Sequence, residues 1–379
     1  MSRYFLISLV VTSLLVACNQ SMMDVALKDS PKATKPPPQQ SQPKQKEHLP
    51  LAMYRQFLTR FRDRLESEWG DRDVLIASRH QYVKYTQNYL SRAVVDFDKG
   101  VITIETLDKS ALTSLRQAII TTLLTPDDPN AVDLFSTKEI ESNGRPFLYG
   151  LILDRRSKPI DSKSQADKFA RYLVSKNRET RYVKTESGKR ALHSITMKMI
   201  SNHINVRARK FSPYVERYAN QFKVSKSLIY AVMKTESNFN LFAVSSAPAY
   251  GLMQLVPSTG GRDAYRKVKG EDGVPSKEYL FDASNNIELG TAYLSIITKE
   301  FLAEVKNPVS KEYCTIAAYN GGIGSMLRSF AKDKSEAIRI INKMTPTQVH
   351  DHLRTKHPAS ETRRYLAKVL SAKREFVNL

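Results

Sequence analysis

With 2 cysteines in 379 residues, a disulfide framework and a cysteine-rich zinc site are both excluded, so the chain must hold together by packing. Glycine and proline are also sparse, 14 and 17, which rules out a collagen-like or low-complexity fibre. Acidic residues are short: 38 Asp and Glu stand against 59 Lys and Arg, a formal net charge of +21. A hydrophobic content of 41% nevertheless excludes a wholly disordered polybasic chain, and the length allows two or three domains with a sizeable core. The charge is unevenly spread. Residues 51–150 carry a net of −1, residues 151–210 a net of +11 and residues 211–379 a net of +8.

The N-terminus carries a compartment signal. Arg3 precedes an uncharged, mostly apolar run from residue 4 to residue 16, shorter than the roughly 20 residues of a membrane span but suited to a secretory signal. Leu15-Val16-Ala17-Cys18 looks like a bacterial lipobox, with residues 1–17 removed and Cys18 taking the lipid. An ordinary cleavable signal with a chance cysteine is the alternative. Asn19 follows, and the absence of Asp there points to the outer membrane, periplasmic face. Lipidation of Cys18 leaves Cys314 alone in the apolar run Tyr313-Cys314-Thr315-Ile316-Ala317-Ala318, where it reads as core filler. Residues 18–50, rich in Pro, Gln and Lys around Pro36-Pro37-Pro38, read as a tether.

Residues 51–210 mix helix and strand. Tyr54, Phe57, Leu58, Phe61 and Leu65 have helical spacing. Ala93-Val94-Val95-Asp96-Phe97-Asp98 and Val101-Ile102-Thr103-Ile104-Glu105, split by Lys99-Gly100, predict a β-hairpin. Residues 111–124 read as helix, 147–153 as extended and 164–174 as helix, and Ile195, Met197 and Met199 alternate as in a strand with one buried face. This is an α+β accessory domain in which no motif carries recognisable chemistry. Residues 211–379 read as a separate, mostly α domain without strand signals. Ser212 is predicted to cap one helix, with Pro213 in its first turn, and Ser225 to cap the next.

The helix starting at Ser225 carries Leu228, Ile229, Val232 and Met233, and one turn further along the same stripe stands Glu236. A carboxylate on a buried face has its charged form disfavoured and its pKa raised, although a helix-terminal Glu can also curl out into solvent. Three further segments bear on that choice: Gly251-Leu252-Met253-Gln254, Ala317-Ala318-Tyr319-Asn320-Gly321-Gly322 and Glu361-Thr362-Arg363-Arg364-Tyr365. In this order they resemble the family 1 lytic transglycosylases, whose soluble type has a goose-type-lysozyme-like catalytic domain. The likeness tightens toward a membrane-bound type through the lipobox, the α+β domain in front, Asn205-Val206-Arg207-Ala208-Arg209-Lys210 and the run from Phe281-Asp282 to Asn286-Ile287-Glu288-Leu289-Gly290.

The resemblance implies that Glu236 is the single catalytic acid/base and that Ser237, Ser245, Met253, Gln254, Tyr319, Asn320 and Tyr365 contact the substrate or position the acid. It implies glycan strands of peptidoglycan as the partner, with outer-membrane lipid reached through Cys18, and neither cofactor nor metal. One departure is Pro248-Ala249-Tyr250 ahead of Gly251, where many relatives carry Gly-Ala, so the loop is expected to differ in shape. No second acid stands out: Glu271, Asp272 and Glu278 fall in a charged segment and Asp282 reads as a helix cap. One carboxyl suffices if the substrate supplies the nucleophiles, giving 1,6-anhydro ends. A lysozyme-type hydrolase using Glu236 with a water, and a non-catalytic murein-binding lipoprotein, are the alternatives. A nucleic-acid binder is disfavoured by export and by a basic stretch with few aromatics beyond Phe169, Tyr172 and Tyr182.

Overall fold

The leading helix α1 (Leu51–Trp69) buries Tyr54, Phe61, Leu65 and Trp69 along one stripe, the spacing of an amphipathic helix with a single apolar face. This comes from a computed structural model that describes residues 51–379. The apolar leader, Cys18 and the proline-rich tether lie outside the described residues. After α1 come β1 (Gln81–Thr86), β2 (Ser91–Asp96), β3 (Val101–Thr106), α2 (Ala111–Leu123), α3 (Lys163–Lys176), β4 (Glu179–Thr185) and β5 (Gly188–Lys198). The strands form one antiparallel sheet in the order β1-β2-β3-β5-β4.

Because side chains alternate along a strand, the sheet has two apolar faces. Tyr82, Ala93, Val95, Ile102, Ile104, Ile195 and Met197 meet α2 and α3, whereas Val83, Tyr85, Val94, Val183 and Leu192 meet Phe61, Leu65 and Trp69 of α1. The result is three layers, helix on sheet on helix pair. Arg92 sits within the α1 side. Its guanidinium stacks 4.0 Å from the Trp69 ring and pairs with Glu105 at 2.6 Å, so the buried charge is both partnered and hydrogen-bonded.

The hairpin, both helices and the strand of Ile195 and Met197 form where the residue patterns place them. Residues 147–153 do not form a strand. They make successive turns, Tyr149 N–H to Pro146 O and Leu151 N–H to Leu148 O, with Gly150 at φ +74°. Phe147, Leu148, Leu151 and Ile152 are buried there as a knot of loop side chains beneath the sheet. Strands β1 and β4 carry no clear signal. Lys84 interrupts the first from inside the core, its ammonium held by the Asp133 and Ser136 carbonyls at 2.7 and 2.8 Å, and the second lies at the sheet edge with most of its side chains in water.

Among the described residues, no strand follows residue 202; apart from isolated β-bridges joining Val244, Tyr250 and Leu255, the chain runs through the helices α4 (His203–Arg209), α5 (Ser212–Phe222), α6 (Lys226–Ser237), α7 (Arg262–Lys269), α8 (Lys277–Phe281), α9 (Ala283–Ile296), α10 (Pro308–Gly321), α11 (Ile323–Arg328), α12 (Lys334–Lys343), α13 (Pro346–Lys356) and α14 (Ser360–Glu375). Ser225 caps α6 as expected, accepting from Leu228 N–H. Ser212 does not cap α5. It is the first helical residue, and its hydroxyl meets that of Tyr230 at 2.9 Å. Cys314 is fully buried, and the apolar surroundings push its thiol up to about 12, which leaves it inert packing.

The hairpin turn between β2 and β3 docks on the end of α6. Asn238, the αL residue that terminates that helix, donates to Phe97 O at 2.9 Å and to Asp98 Oδ1 at 2.8 Å. Arg207, 3% exposed, donates to the carbonyls of Phe97 (2.9 Å) and Asn238. Removing this guanidinium leaves the Asn238 carbonyl without its charged donor and opens a cavity. Arg207→Ala is expected to lower the unfolding free energy by about 3 kcal/mol in chemical denaturation, and a near-zero change would show that the junction does not depend on it.

Candidate active site

Glu236 occupies the last turn of α6, and every neighbour along its stripe is packed: Ile229, Val232 and Met233 have no exposed surface. The carboxyl remains buried with them, at 4% exposure. Burial raises its pKa from 4.5 to about 7. The Tyr365 hydroxyl and the Arg79 guanidinium act in the opposite direction and offset only part of the rise, while the Glu361 carboxylate adds to it. Arg79 Nη1 stands 3.4 Å from Glu236 Oε2, and its Nη2 stands 3.1 Å from Glu361 Oε1.

The next turn of chain is held from below. Ser237, with no exposed surface, turns its hydroxyl to the carbonyls of Met233 at 3.0 Å and Leu252 at 2.8 Å, which ties the end of α6 to the Gly251-Leu252-Met253-Gln254 segment. That segment is pinned by Asn286 of α9. Its Oδ1 takes Met253 N–H at 2.8 Å, and its Nδ2 donates to Tyr250 O and Leu280 O. Gly251 has φ +74°, and a Cβ there would collide with Asn286 and with Leu280 O, so only glycine satisfies both the backbone and the space.

A cleft of about 600 Å³ opens above this framework, and its walls include Glu236, Gln254, Ser245, Tyr319, Asn320 and Glu361. Gln254 donates from Nε2 to Ala243 O at 3.1 Å and Gly251 O at 2.9 Å, which leaves its buried Oε1 without a partner. Asn320 accepts Thr362 Oγ1–H at Oδ1, 2.8 Å away. Tyr319 donates to Met253 O at 2.9 Å. The buried Tyr365 hydroxyl faces the Glu236 carboxyl, whose charged form it favours as a donor. The floor therefore offers a desolvated acid, an orphan acceptor and two phenols beside them.

Of the residues picked out in the sequence, Glu236, Ser245, Gln254, Tyr319 and Asn320 line the cleft, and Tyr365 lies behind Glu236. Ser237 and Met253 do not line it. Both are fully buried, the first occupied by backbone carbonyls and the second packed against Gly290 of α9. They shape the site from underneath and have no surface with which to touch a sugar. Tyr250 is buried too, edge-on to Phe281 at 5.6 Å, so the departing loop turns its aromatic ring inward.

The accessory domain contributes walls that nothing in its sequence announced: Tyr54, Leu58, Ser78 and Arg79. Tyr54 donates to Ser245 O at 3.2 Å. The sole available hint was Tyr54 on the apolar stripe of α1, since Arg79 reads as one more surface cation. Glu361 was visible only as part of the motif ending in Tyr365.

The domain family described as the membrane-bound lytic murein transglycosylase C N-terminal domain matches residues 43–210, and the transglycosylase SLT domain matches residues 213–342. The membrane-bound lytic murein transglycosylase C of Yersinia enterocolitica is 47% identical over 320 residues, covering 83% of this chain and 87% of that protein. The protein of the same name from Photorhabdus laumondii is 46% identical over 318 residues, covering 83% and 88%. Among solved structures, the 70 kDa soluble lytic transglycosylase of Escherichia coli aligns at 26% identity and a TM-score of 0.35, over 44% of this chain and 24% of that one.

A carboxyl lifted from 4.5 to about 7 binds a proton in the native state that the unfolded chain releases across that window. The stability of the site is therefore full below pH 4.5 and is lost as pH rises through 7, by about 3 kcal/mol. Glu236→Gln removes the titration. The variant is expected to match the wild type in thermal unfolding near pH 4.5 and to exceed it by on the order of 5 °C at a pH about one unit above 7. An equal Tm at both pH values would mean that the carboxyl is not desolvated.

Proposed function

This chain belongs to the membrane-bound lytic murein transglycosylase C family, and we propose that it cuts the β-1,4 bond between N-acetylmuramic acid and N-acetylglucosamine in peptidoglycan, leaving 1,6-anhydro ends. The observation that carries this reading is the single buried, proton-holding carboxyl of Glu236 at the floor of the cleft. Glycosidases generally pair their acid with a second carboxylate serving as base or nucleophile. Glu361 is the one candidate on the cleft wall, and it is 60% exposed and tied to Arg79.

With one acid, the substrate must supply the nucleophiles. The N-acetyl carbonyl of the muramic acid residue attacks its own anomeric carbon while Glu236 protonates the departing glycosidic oxygen. The 6-hydroxyl then closes onto the anomeric carbon, the acetamido oxygen leaves, and Glu236, now a carboxylate, takes the hydroxyl proton. A group that titrates at about 7 suits both half-reactions near neutral pH, because it holds a proton for the first and gives up little driving force in the second. Gln254 shapes the floor with a buried Oε1 that no protein group meets, and Asn320, whose Oδ1 is occupied by Thr362, offers its Nδ2 to a sugar hydroxyl or acetamido carbonyl.

The relatives' name describes them as membrane-bound. In this chain the proposed attachment is lipid on Cys18 in the outer membrane, facing the periplasm, with residues 19–50 as tether and residues 51–210 and 211–379 as accessory and catalytic domains. Among the described residues no helix is long and apolar enough to cross a membrane.

Mass spectrometry of muropeptides released from purified peptidoglycan tests the reaction. Products lighter by one water than reducing-end muropeptides are expected, and Glu236→Gln should abolish their release while leaving glycan binding nearly intact. Glu361→Gln should retain substantial turnover. Reducing-end products together with an inactive Glu361→Gln would instead indicate a two-carboxylate hydrolase.

A further inference from the structure

The segment leading into β1 is fixed to the catalytic domain on either side of the Arg79 side chain. Asn240 Nδ2 donates to Arg79 O at 3.1 Å, and His80 lies between Asp98 Oδ2 at 2.9 Å and Thr235 O at 3.1 Å. Phe97 N–H closes on His80 O at 3.0 Å. The Arg79 side chain is held less tightly than this backbone. It is 39% exposed and reaches over the cleft floor with two single contacts, 3.4 Å to the buried Glu236 and 3.1 Å to the exposed Glu361. Neither is bidentate, and two of its five N–H donors are used. A guanidinium so placed is poorly satisfied by what it touches, because its strongest partner is a carboxylate met by two parallel N–H bonds.

We propose that Arg79 recognises the stem-peptide carboxylates of an incoming glycan strand and, in swinging onto them, leaves Glu236. This inference rests on the proposed activity, which makes a carboxylate-bearing polymer the substrate. The sugars of the backbone are neutral amides and alcohols, so the carboxylates of the stems are the groups a cation in this cleft can single out. The exchange also acts on the chemistry. While Arg79 faces Glu236 it favours the charged carboxylate, the form that cannot donate. Once the guanidinium moves to the substrate, the burial that holds the proton on Glu236 is no longer opposed from that side. The other groups facing the carboxyl, Tyr319 of α10 and Glu361 and Tyr365 of α14, stay in place. Substrate recognition by the accessory domain is thereby coupled to the protonation of the acid.

The test uses the full chain and two preparations of the same glycan strands, one with free stem carboxylates and one with those carboxylates amidated. The wild type should prefer the free strands by tenfold or more in kcat/KM. Arg79→Gln, whose backbone contacts are unchanged and whose thermal unfolding should match the wild type, should bring the preference to within about twofold, with Arg79→Lys in between. The pH profile reads the same exchange. In Arg79→Gln the alkaline limb of kcat/KM, which reports the free enzyme, should move to higher pH, while the limb of kcat stays where it is. A preference that Arg79→Gln leaves intact, or an unmoved limb in kcat/KM, overturns the role of Arg79. If the wild type releases anhydro products from neither preparation, the proposed activity itself fails, and this inference with it.

Discussion

A carboxyl group taken out of water must either give up its charge or find partners for it, and the arrangement around Glu236 follows from how that constraint is met. The apolar stripe of α6 removes the water, the accessory domain brings one cation to the edge, and of the two phenols beside the carboxyl Tyr319 is engaged by Met253 O while Tyr365 faces the acid. Full solvation by donors would have made Glu236 an ordinary ion pair with a low pKa. Burial alone would have produced a neutral acid unable to act later as a base. The group titrates near neutrality because desolvation is only partly opposed, and part of that opposition comes from a different domain.

That dependence gives the junction between the domains a chemical meaning. Asn238 ends α6 in an αL conformation while donating to Phe97 O and the Asp98 carboxylate of the hairpin turn, and Arg207 joins it at the Phe97 carbonyl from α4. His80 carries the contact back to Thr235, one residue before Glu236. The helix end that bears the acid is thus capped by the accessory domain, and a shift of the hairpin would change both the position of Glu236 and the reach of Arg79. A loose linker between the domains could not hold a guanidinium within 3.4 Å of a buried carboxyl.

Local pattern was enough to read much of this architecture. The β2–β3 hairpin, α2, α3 and the Ser225 cap are each set by residues close together in the chain, and so was the anomaly of Glu236 on an apolar face. What escaped was set by distant contacts. Strand β1 hides behind Lys84, whose ammonium is tolerated in the core because two carbonyls from residues 133 and 136 meet it. Residues 147–153 have the composition of a strand but find their partners in turns and in buried side-chain packing. Arg79 is separated from Glu236 by 157 positions, and no local rule distinguishes it from other surface cations. Ser237 and Met253 show the converse limit, since a motif identifies residues that matter to a site without distinguishing those that face the substrate from those that shape the floor.

The same distinction reduces the meaning of the +11 carried by residues 151–210. Arg207 is a buried junction residue and Lys210 a half-buried one that donates to Phe147 O at 3.0 Å. Arg171 and Arg181 are paired with Asp167 and Asp73, and Arg190 with Glu68. Arg181 and Arg190 therefore neutralise acids supplied by residues 51–150, whereas Arg171 answers an acid of its own segment. Of the cations left over, Lys163, Lys168 and Lys176 lie on α3, and Arg178 and Lys184 lie on or beside β4, the outermost strand of the sheet. Charge along a free edge discourages pairing with another chain, so a solvated edge accounts for Arg178 and Lys184 without a partner. Arg79, the cation that reaches the acid, belongs to the near-neutral segment, and a net charge taken over either half of the accessory domain would have passed over it.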